Sequence, residues 1–497
     1  MKRPLFLAGL ILGLGLRTAF AHIGSPTVFF EGQAGPYPVR VVIRPPLAVP
    51  GRAEISVRIP TNGVQRVTVL PVRWNAGRKG APPPDEARPI RGEPDLYAAE
   101  LWLMDSGAYS VFVEVQGSAG KGEAIVPVNS LATERLPMPP WLGGVLLLLG
   151  LVLFIALSTI AGAAVGESVL APGEVAGLSR RIGAWVARAG MALLVAGLIY
   201  LGKRWWTQVE QHHRTNRLFS PIQMQAAVTI EGEIPRLKLT IRDNQWRARD
   251  HRPLVPDHGK LMHLFLMREP EMDGFAHLHP IRGDDKTFDT VLPPLPAGRY
   301  RLFADVTHES GFSHTLLATA SIPARQAGGG GTESPALLDP DDSWLEGPTV
   351  PTGDGVILTN QLSGGLQLLW ERPPNLIARH ETPLRFRLLH ADGRPAPLEA
   401  YMGMMAHAIV CHQDGSVFTH LHPLGTISMT SQQLFARREN VGNPNQRPGE
   451  PFCGPQGNEI SFPYEFPKPG RYRLWMQTRY LGKVVTGCFD TTVGPAP

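Results

Sequence analysis

The chain has 497 residues, with 48 Pro, 53 Gly and a formal net charge of +5. This length accommodates several domains, and the many Pro and Gly residues favour turns over long soluble helices. The basic residues are scattered and form no Lys/Arg stripe, so we expect no nucleic-acid partner. With only 3 Cys, the chain is not a disulfide-framework protein.

The N-terminal segment is typical of a secretory signal peptide. Lys2 and Arg3 precede an apolar run from residue 5 to 16, and the tripeptide ending at Ala21 fits a signal-peptidase site. We therefore predict a signal peptide at residues 1–21 and a mature chain that begins at His22. The terminal amine and the imidazole of such a residue can together chelate copper(II), so His22 is a candidate copper ligand. That arrangement needs a second histidine, and residues 23–135 contain none. The alternative is a signal peptide that happens to end before a histidine.

Three segments of the chain share one strand pattern. Gly107, Gly298 and Gly470 each begin a Gly-Xaa-Tyr tripeptide that opens an alternating strand, and a second alternating strand follows each one. This ending resembles the last two strands of an immunoglobulin-like sandwich. We therefore predict an all-β fold for the soluble parts, as three immunoglobulin-like β-sandwiches, together with a transmembrane helical hairpin. The sandwiches are predicted at residues 22–135, 218–325 and 351–495, with a Gly-rich linker at 326–350.

The helical hairpin is predicted from two apolar stretches, at residues 138–162 and 182–204, each long enough to cross a bilayer. Arg180 and Arg181 lie in the short connection at 163–181 and favour a cytoplasmic location for it. With the signal peptide exporting the first sandwich, both soluble parts should lie outside the cytoplasm, anchored to the inner (plasma) membrane.

The tetrapeptide His-Leu-His-Pro occurs once in each of the two later sandwiches, and each copy follows another histidine by a near-equal interval. Two histidines separated by one residue of a strand point to the same face and can share a ligand. Alignment of the two segments also matches a methionine with a cysteine. The duplicated candidate metal ligands are His263, Met267, His277 and His279 in one sandwich, and His407, Cys411, His420 and His422 in the other. His258 is expected to support the first of these sites from outside the ligand set.

Imidazole suits copper or zinc, and a thioether or thiolate shifts the preference toward copper(I). We expect copper, or zinc, and an affinity that falls as pH drops through about 6.5, the ordinary histidine range. The structural alternative remains open: the histidines could bond to neighbouring carbonyl groups, and the methionines could fill the core. A disulfide between Cys453 and Cys488 is also predicted, which leaves Cys411 as a thiol.

Two stretches of the sequence resemble known families. The first sandwich, from His22 through SPTVFFEGQAGPY and VRVVIRPP, is similar to bacterial extracytoplasmic modules of the YtkA-like and copper-resistance C-like type. The later ones, with HLFLMREPEMDGFAHLHP and LPAGRYRLFADV, look like secreted bacterial domains often found near heavy-metal functions. The resemblance implies immunoglobulin-type sandwiches, a periplasmic location and copper binding at an N-terminal histidine.

These observations favour a membrane-anchored, periplasm-facing metal-binding protein that acts as a chaperone, buffer or sensor and works with the membrane, a metal ion and a periplasmic protein partner. One alternative is an adhesion or assembly module with structural histidines. Another is a copper oxidase built on His22. The sequence contains no GxSxG, HExxH, P-loop or CxxC motif, so we do not expect ordinary enzyme chemistry.

Overall fold

The computed structural model describes residues 27–231, 234–243, 253–324, 338–345, 352–353, 357–439 and 457–496. The predicted signal peptide, His22 and Cys453 lie outside these residues. Cleavage after Ala21, copper binding at His22 and the Cys453–Cys488 disulfide therefore stay predictions.

The strands of the described residues pack around three apolar cores, which define three β-rich modules. The first module contains β1 (Val28–Ala34), β2 (Tyr37–Arg44), β3 (Gly51–Arg58), β4 (Val64–Arg73), a short 3-10 helix (Arg78–Gly80), β5 (Asp85–Ile90), β6 (Glu93–Leu103), β7 (Gly107–Gly117) and β8 (Gly120–Ser130). Two helices follow, α1 (Pro140–Gly166) and α2 (Leu178–Asn216).

The second module contains β9 (Met224–Glu231), β10 (Ile234–Ile241), β11 (Leu254–Val255), β12 (His263–Glu269), β13 (Phe275–Leu278), β14 (Ile281–Arg282), β15 (Thr287–Val291), β16 (Gly298–His308) and β17 (Ser313–Ile322), and β18 (Ser343–Leu345) joins its sheet. The third module contains β19 (Thr352–Gly353), β20 (Ile357–Leu362), β21 (Leu366–Glu371), β22 (Leu384–His390), β23 (His407–His412), β24 (Phe418–Leu421), α3 (Met429–Arg438), β25 (Glu459–Phe462), β26 (Gly470–Tyr480) and β27 (Lys483–Val493).

The sheets are antiparallel throughout the named strands. The first module orders its strands β1-β2-β3-β6-β5-β4-β7-β8 around one apolar core. The second module has the sheets β14-β15-β10-β9 and β11-β16-β12-β13-β18, with β17 paired to β16. The third has β19-β20-β21-β22-β25 and β24-β23-β26-β27. Alternating apolar residues on the strands of each module supply its core, because side chains of a strand alternate between faces.

The three Gly-Xaa-Tyr strands form the predicted hairpins: β7 pairs with β8, β16 with β17 and β26 with β27. Each tyrosine hydroxyl makes a hydrogen bond to the backbone of the residue four positions earlier, at 3.2 Å for Tyr109, 2.7 Å for Tyr300 and 2.8 Å for Tyr472. This bond fixes the chain at the corner where the strand begins, as tyrosine corners do in sandwich proteins.

Strands β12 and β23 are buried on both faces. Leu264 and Leu266 of β12 face the core of their own module, whereas Phe265 and Met267 face the third module. The apolar interface formed there stacks Phe275 on Trp475 with ring centroids 4.7 Å apart. Its buried members are Phe265, Met267, Met272, Phe275, Phe303, Ile409, Cys411, Phe418, Trp475 and Cys488. The histidine-bearing sheets of the second and third modules therefore pack against each other.

A segment of the third module, residues 424–427, continues the sheet edge of the first module. Glu31 N donates to Leu424 O at 2.8 Å, and Thr426 N donates to Phe29 O at 3.1 Å. Gly425 has a φ of 120°, and a Cβ placed on it would lie 1.9 Å from Phe29 O. Only glycine fits this close approach of two backbones. The side chain of Ile427 is buried in the core of the first module.

The helical hairpin forms a compact unit of its own, comprising residues 47–49 and 131–219. Both helices are apolar and long enough to cross a membrane. They overlap the two predicted spans: α1 begins at Pro140, after the predicted start at 138, and continues to Gly166. Helix α2 begins at Leu178 and continues to Asn216, beyond the predicted end at 204, so the connection is shorter than the predicted 163–181. A Cβ on Gly162 would lie 2.4 Å from Arg188 Nε, so the helices approach closely at that glycine. The chain entering and leaving the hairpin is joined by a 2.8 Å hydrogen bond from Phe219 N to Ala132 O.

Candidate metal centre

The first candidate site, named triad A, consists of His263, His277 and His279. In the pairing of β12 with β13, His277 lies opposite Phe265. Phe265 is two residues from His263, so His263 and His277 are on the same face of the sheet. The spacing of the HLHP motif then brings His279 to the same face as His277. One nitrogen from each imidazole lies within 4.8 Å of the other two. His263 Nδ1 and His277 Nε2 are 3.2 Å apart.

The second candidate site, named triad B, consists of His407, His420 and His422 and repeats this geometry on β23 and β24. His420 lies opposite Ile409, and the three ring nitrogens again lie within 4.8 Å of one another. His407 Nδ1 and His420 Nε2 are 3.1 Å apart. The structure thus brings together both sets of three histidines that the duplicated sequence singles out.

The other nitrogen of each imidazole points away from its triad; in five rings it lies within hydrogen-bond distance of an oxygen atom, and in His420 it faces Asp305 at a longer distance. The contacts are His263 Nε2 with Asp257 O (3.1 Å), His277 Nδ1 with Gln477 Oε1 (2.9 Å), His279 Nδ1 with Asp342 Oδ1 (2.9 Å), His407 Nε2 with Tyr401 O (3.2 Å), His420 Nδ1 with Asp305 Oδ2 (3.6 Å) and His422 Nδ1 with Ile427 O (3.0 Å). A carbonyl oxygen only accepts, so the nitrogens that face one carry the hydrogens, and the tautomers are inferred from this network. The inward nitrogens of these rings then hold lone pairs.

This pattern is the one that metal-binding histidines adopt, because an oxygen acceptor fixes the tautomer and directs the free lone pair to the ion. Two nitrogens on one tetrahedral ion with bonds of 2.0–2.1 Å are about 3.3 Å apart. The 3.2 Å and 3.1 Å separations in the two triads agree with that distance. His279 Nε2 and His422 Nε2 are buried and have no hydrogen-bond partner among the described residues. A metal ion in each triad would satisfy them.

Five of the six triad histidines have lowered pKa values. Burial, reinforced by the neighbouring histidines, holds the pKa of His263, His277, His407 and His420 well below the ordinary value of 6.5. Burial likewise lowers the pKa of His422 to about 4. These rings are therefore neutral at pH 7, which is the form that coordinates metals.

The two triads adjoin each other across the contact between the modules. The ring centroid of His420 lies 5.5 Å from that of His263 and 5.8 Å from that of His277. Asp305 and Gln477 occupy equivalent positions on β16 and β26, opposite His263 and His407 respectively. Each contacts the middle histidine of the other module. The sequence predicts one triad per module, and the structure joins them into a single histidine cluster.

Two sequence predictions are corrected at this cluster. His258 is expected to support triad A, but its ring centroid lies 5.2 Å from His407 and 4.9 Å from His422, nearer than the 6.2 Å to His263. Met267 and Cys411 are predicted ligands but lie in the apolar interface instead. Burial raises the pKa of the Cys411 thiol to about 12, so it stays protonated and is a poor ligand.

Sequence analysis does not identify several residues that lie against the triad histidines, among them Asp257, Asp305, Asp342 and Gln477. The signal for the pair Asp305 and Gln477 was present, since each lies seven residues after the glycine of its Gly-Xaa-Tyr tripeptide. His279 also forms a group with Asp339 and Asp342 that could hold a cation. Lys260 Nζ lies 2.5 Å from Asp339 Oδ1 and already supplies positive charge there.

The residues define a β-rich protein with two apolar helices and histidine groups able to hold metal ions. A family described as a domain of unknown function (DUF8832) matches residues 221–323 and 362–494, which fall on the second and third modules. No curated protein matches the chain.

Solved structures are only distantly similar. Dimeric latent PorU from Porphyromonas gingivalis is 9% identical with a TM-score of 0.15, and the match covers 95% of this chain and 34% of PorU. The chain thus spans about a third of that protein. A putative membrane anchored protein from Corynebacterium diphtheriae is 8% identical with a TM-score of 0.14, covering 95% of this chain and 96% of that one. At these TM-scores the likeness carries no inference about function.

Proposed function

We propose that this protein is a membrane-anchored metal-binding protein that holds two transition-metal ions, copper or zinc, in triads A and B. The observation that carries the proposal is the direction of the imidazole hydrogens. The outward nitrogens meet oxygen atoms, while lone pairs converge inside each triad. Three imidazoles suit copper and zinc, and the carboxyl groups of Asp257, Asp305 and Asp342 lie around them.

The arrangement on the membrane is part of the same proposal. A signal peptide ending at Ala21 exports the first module, α1 and α2 cross the inner membrane as a hairpin, and the second and third modules return to the periplasmic side. The three β-rich modules are immunoglobulin-like sandwiches of the YtkA-like and copper-resistance C-like kind. Copper is the favoured metal because the periplasm is where those modules meet it.

The role is that of a metal buffer or sensor. The triads are deeply buried, with His277 and His407 at 0% exposure. An ion bound in a triad would have to pass the surrounding side chains to dissociate. This favours slow release of the metal over the rapid metal transfer that a chaperone needs. A periplasmic partner would then respond to the occupied state of the paired modules.

The alternative, an adhesion or assembly module with structural histidines, would make each His–His contact a hydrogen bond. One inward nitrogen in each pair would then carry the hydrogen, and the outward nitrogen of that ring would accept. For triad A this requires the Gln477 amide to be reversed, and for triad B it requires a protonated Asp305, a form that burial makes accessible at neutral pH by raising the pKa of Asp305 to about 7. Even then His279 Nε2 and His422 Nε2 stay without a partner among the described residues. A metal ion in each triad would give these two nitrogens a partner.

Metal content of the full-length protein tests the proposal. The protein in detergent is stripped with a chelator, loaded with copper or zinc, dialysed and analysed for metal. We expect two ions per chain, about half after His277→Ala with His279→Ala, and none after His420→Ala and His422→Ala are added. The matched control changes His308 and His314, a buried pair 3.0 Å apart outside the triads. Unchanged stoichiometry in the folded four-histidine variant would show that the histidines are structural.

A further inference from the structure

Two equivalent turns lie beside the histidine cluster, Asp257–Lys260 in the second module and Tyr401–Met404 in the third. Each is closed by the same pair of backbone hydrogen bonds, 2.9 and 3.0 Å in the first turn and 2.7 and 3.1 Å in the second. The first residue of each turn accepts a hydrogen bond from the first histidine of its own triad. The turns are therefore related by the same duplication as the triads.

Both turns place a non-glycine residue in the left-handed region of the backbone. His258 has a φ of 52° and is followed by Gly259 at 81°, and Met402 has a φ of 50° and is followed by Gly403 at 77°. Two successive positive φ values define a type I′ turn, which favours glycine or asparagine over histidine and methionine. Residues kept in such a conformation cluster at functional sites, because the strain must be offset by what the side chain does there.

The side chain of His258 reaches across to the other module. Its ring lies 4.9 Å from His422 and 5.2 Å from His407, so it adjoins triad B. Its Nε2 atom is buried and has no hydrogen-bond partner among the described residues, and the nearest carboxylate oxygen, Asp257 Oδ1, is 3.9 Å away. A buried imidazole nitrogen without a hydrogen-bond partner beside the three nitrogens of triad B is a candidate fourth donor for an ion bound there.

The turn of the third module reaches toward triad A in the reciprocal way. Tyr401 Oη lies 3.4 Å from His277 Nδ1 and donates to Asp341 O at 2.8 Å, next to the Asp342 that holds His279. Met402 follows Tyr401 and is 8% exposed. Met402 occupies the turn position equivalent to His258. The duplication therefore predicts that Met402 faces triad A as His258 faces triad B.

We propose that each module completes the metal site of the other with a different fourth ligand, the imidazole of His258 at triad B and the thioether of Met402 at triad A. This inference rests on the proposed function, and it makes the two sites unlike. Four imidazoles suit zinc(II) or copper(II), whereas three imidazoles and a thioether shift the preference toward copper(I). The duplicated centre thus holds one site for the oxidised and one for the reduced state of copper.

Variants of the full-length protein that keep only one triad test the two proposed fourth ligands separately. With His277→Ala and His279→Ala only triad B remains, and His258→Asn should lower its zinc(II) affinity about tenfold or more and reduce the imidazole count seen by X-ray absorption from four to three. Asparagine tolerates the positive φ, so the turn is kept. The matched control is His412→Asn, a residue hydrogen-bonded to Asp414 outside the cluster.

With His420→Ala and His422→Ala only triad A remains. Met402→Leu should lower its copper(I) affinity about tenfold, remove the sulfur scatterer from the absorption spectrum and leave zinc(II) affinity almost unchanged. Met404→Leu, in the same turn, is the control and should change neither. A native site without a sulfur scatterer, or an unchanged imidazole count in His258→Asn, would overturn the inference while two ions still bind. A native protein that binds no metal would instead sink the proposed function along with it.

Discussion

Gln477 of the third module accepts a hydrogen bond of 2.9 Å from the Nδ1 atom of His277, which belongs to the second module. Gln477→Ala should therefore weaken metal binding at triad A, although all three histidines of triad A belong to the second module. We expect about a tenfold loss of affinity at triad A, because the second partner of a ligating imidazole sets its tautomer and orientation. Competitive titration in the background lacking His420 and His422 measures this. Gln361→Ala, an exposed glutamine of the same module, should be silent; equal affinities in the two variants would contradict the prediction.

Asp342 holds His279 through both the ring Nδ1 and the backbone N–H, each at 2.9 Å. In triad B the equivalent partner of His422 is only a backbone carbonyl, Ile427 O. A carboxylate makes the imidazole a stronger donor to metal. Asp342→Asn should lower the affinity of triad A about 10–100-fold and leave triad B unchanged. The exposed Asp392→Asn is the control, and a loss shared equally by both triads would argue that the change acts through the fold.

Acid should destabilise the metal-free protein. The pKa of His422 is lowered by burial from 6.5 to about 4, and four further triad histidines are lowered in the same direction. The unfolded chain therefore binds more protons than the folded one below pH 6.5, so stability falls as pH drops from about 6.5 toward 4. His422 alone accounts for about 3 kcal/mol over that window. Urea unfolding of the stripped protein at a series of pH values measures it, with the four-histidine alanine variant as the control. A pH-independent midpoint in the native chain would count against buried neutral histidines.

The same pKa shifts revise the expectation that metal affinity falls through pH 6.5. Because the folded imidazoles resist protonation, protons compete with the metal only at lower pH. Affinity should stay nearly level through about pH 6.5 and decline toward pH 4, as measured by metal retained after dialysis. A steep loss centred near 6.5 would mean that the ligands are ordinary exposed histidines.

The contact of Gly425 with Phe29 should be sensitive to a single methyl group. Gly425→Ala would place a Cβ 1.9 Å from Phe29 O, in addition to the strain of its φ of 120°. Gly393 has a φ of 81° and open space around it, so Gly393→Ala carries the strain without the clash. We expect Gly425→Ala to destabilise the protein by about 2 kcal/mol or more beyond the control. Thermal unfolding of both variants decides, and equal midpoints would show that the edge contact contributes little.

The topology predicts where single cysteines react. Cysteines introduced near residues 120 and 340 should be labelled by a membrane-impermeant reagent in intact cells, whereas one near residue 172, in the connection between α1 and α2, should not. Labelling at 172 without labelling at 340 would reverse the proposed orientation.

Much of the site follows from the sequence because the ligands lie on strands. The period of two residues and the duplicated HLHP motif identify all six triad histidines and the hairpin that unites them. The same period misleads for Met267, which shares a face with His263 but lies about 13 Å farther along the strand. The equivalent positions of Asp305 and Gln477 are visible in the sequence. The packing of one module on another leaves no local pattern, so the contacts of these two residues with the opposite triads could not be predicted. The contact of His258 with triad B depends on the left-handed backbone conformation of His258, which the sequence does not predict.

The hydrogen bond from Phe219 N to Ala132 O makes the membrane hairpin an insertion whose two ends meet. Every residue of the histidine cluster lies outside that insertion. The intervening 86 residues, 133–218, can therefore be replaced by a connection of about four residues, a length common between adjacent elements. Such a shortened chain would keep the first module, whose core holds Ile427 and so the backbone that fixes His422. Spectroscopy and crystallisation of the metal centre then become accessible in water, without detergent.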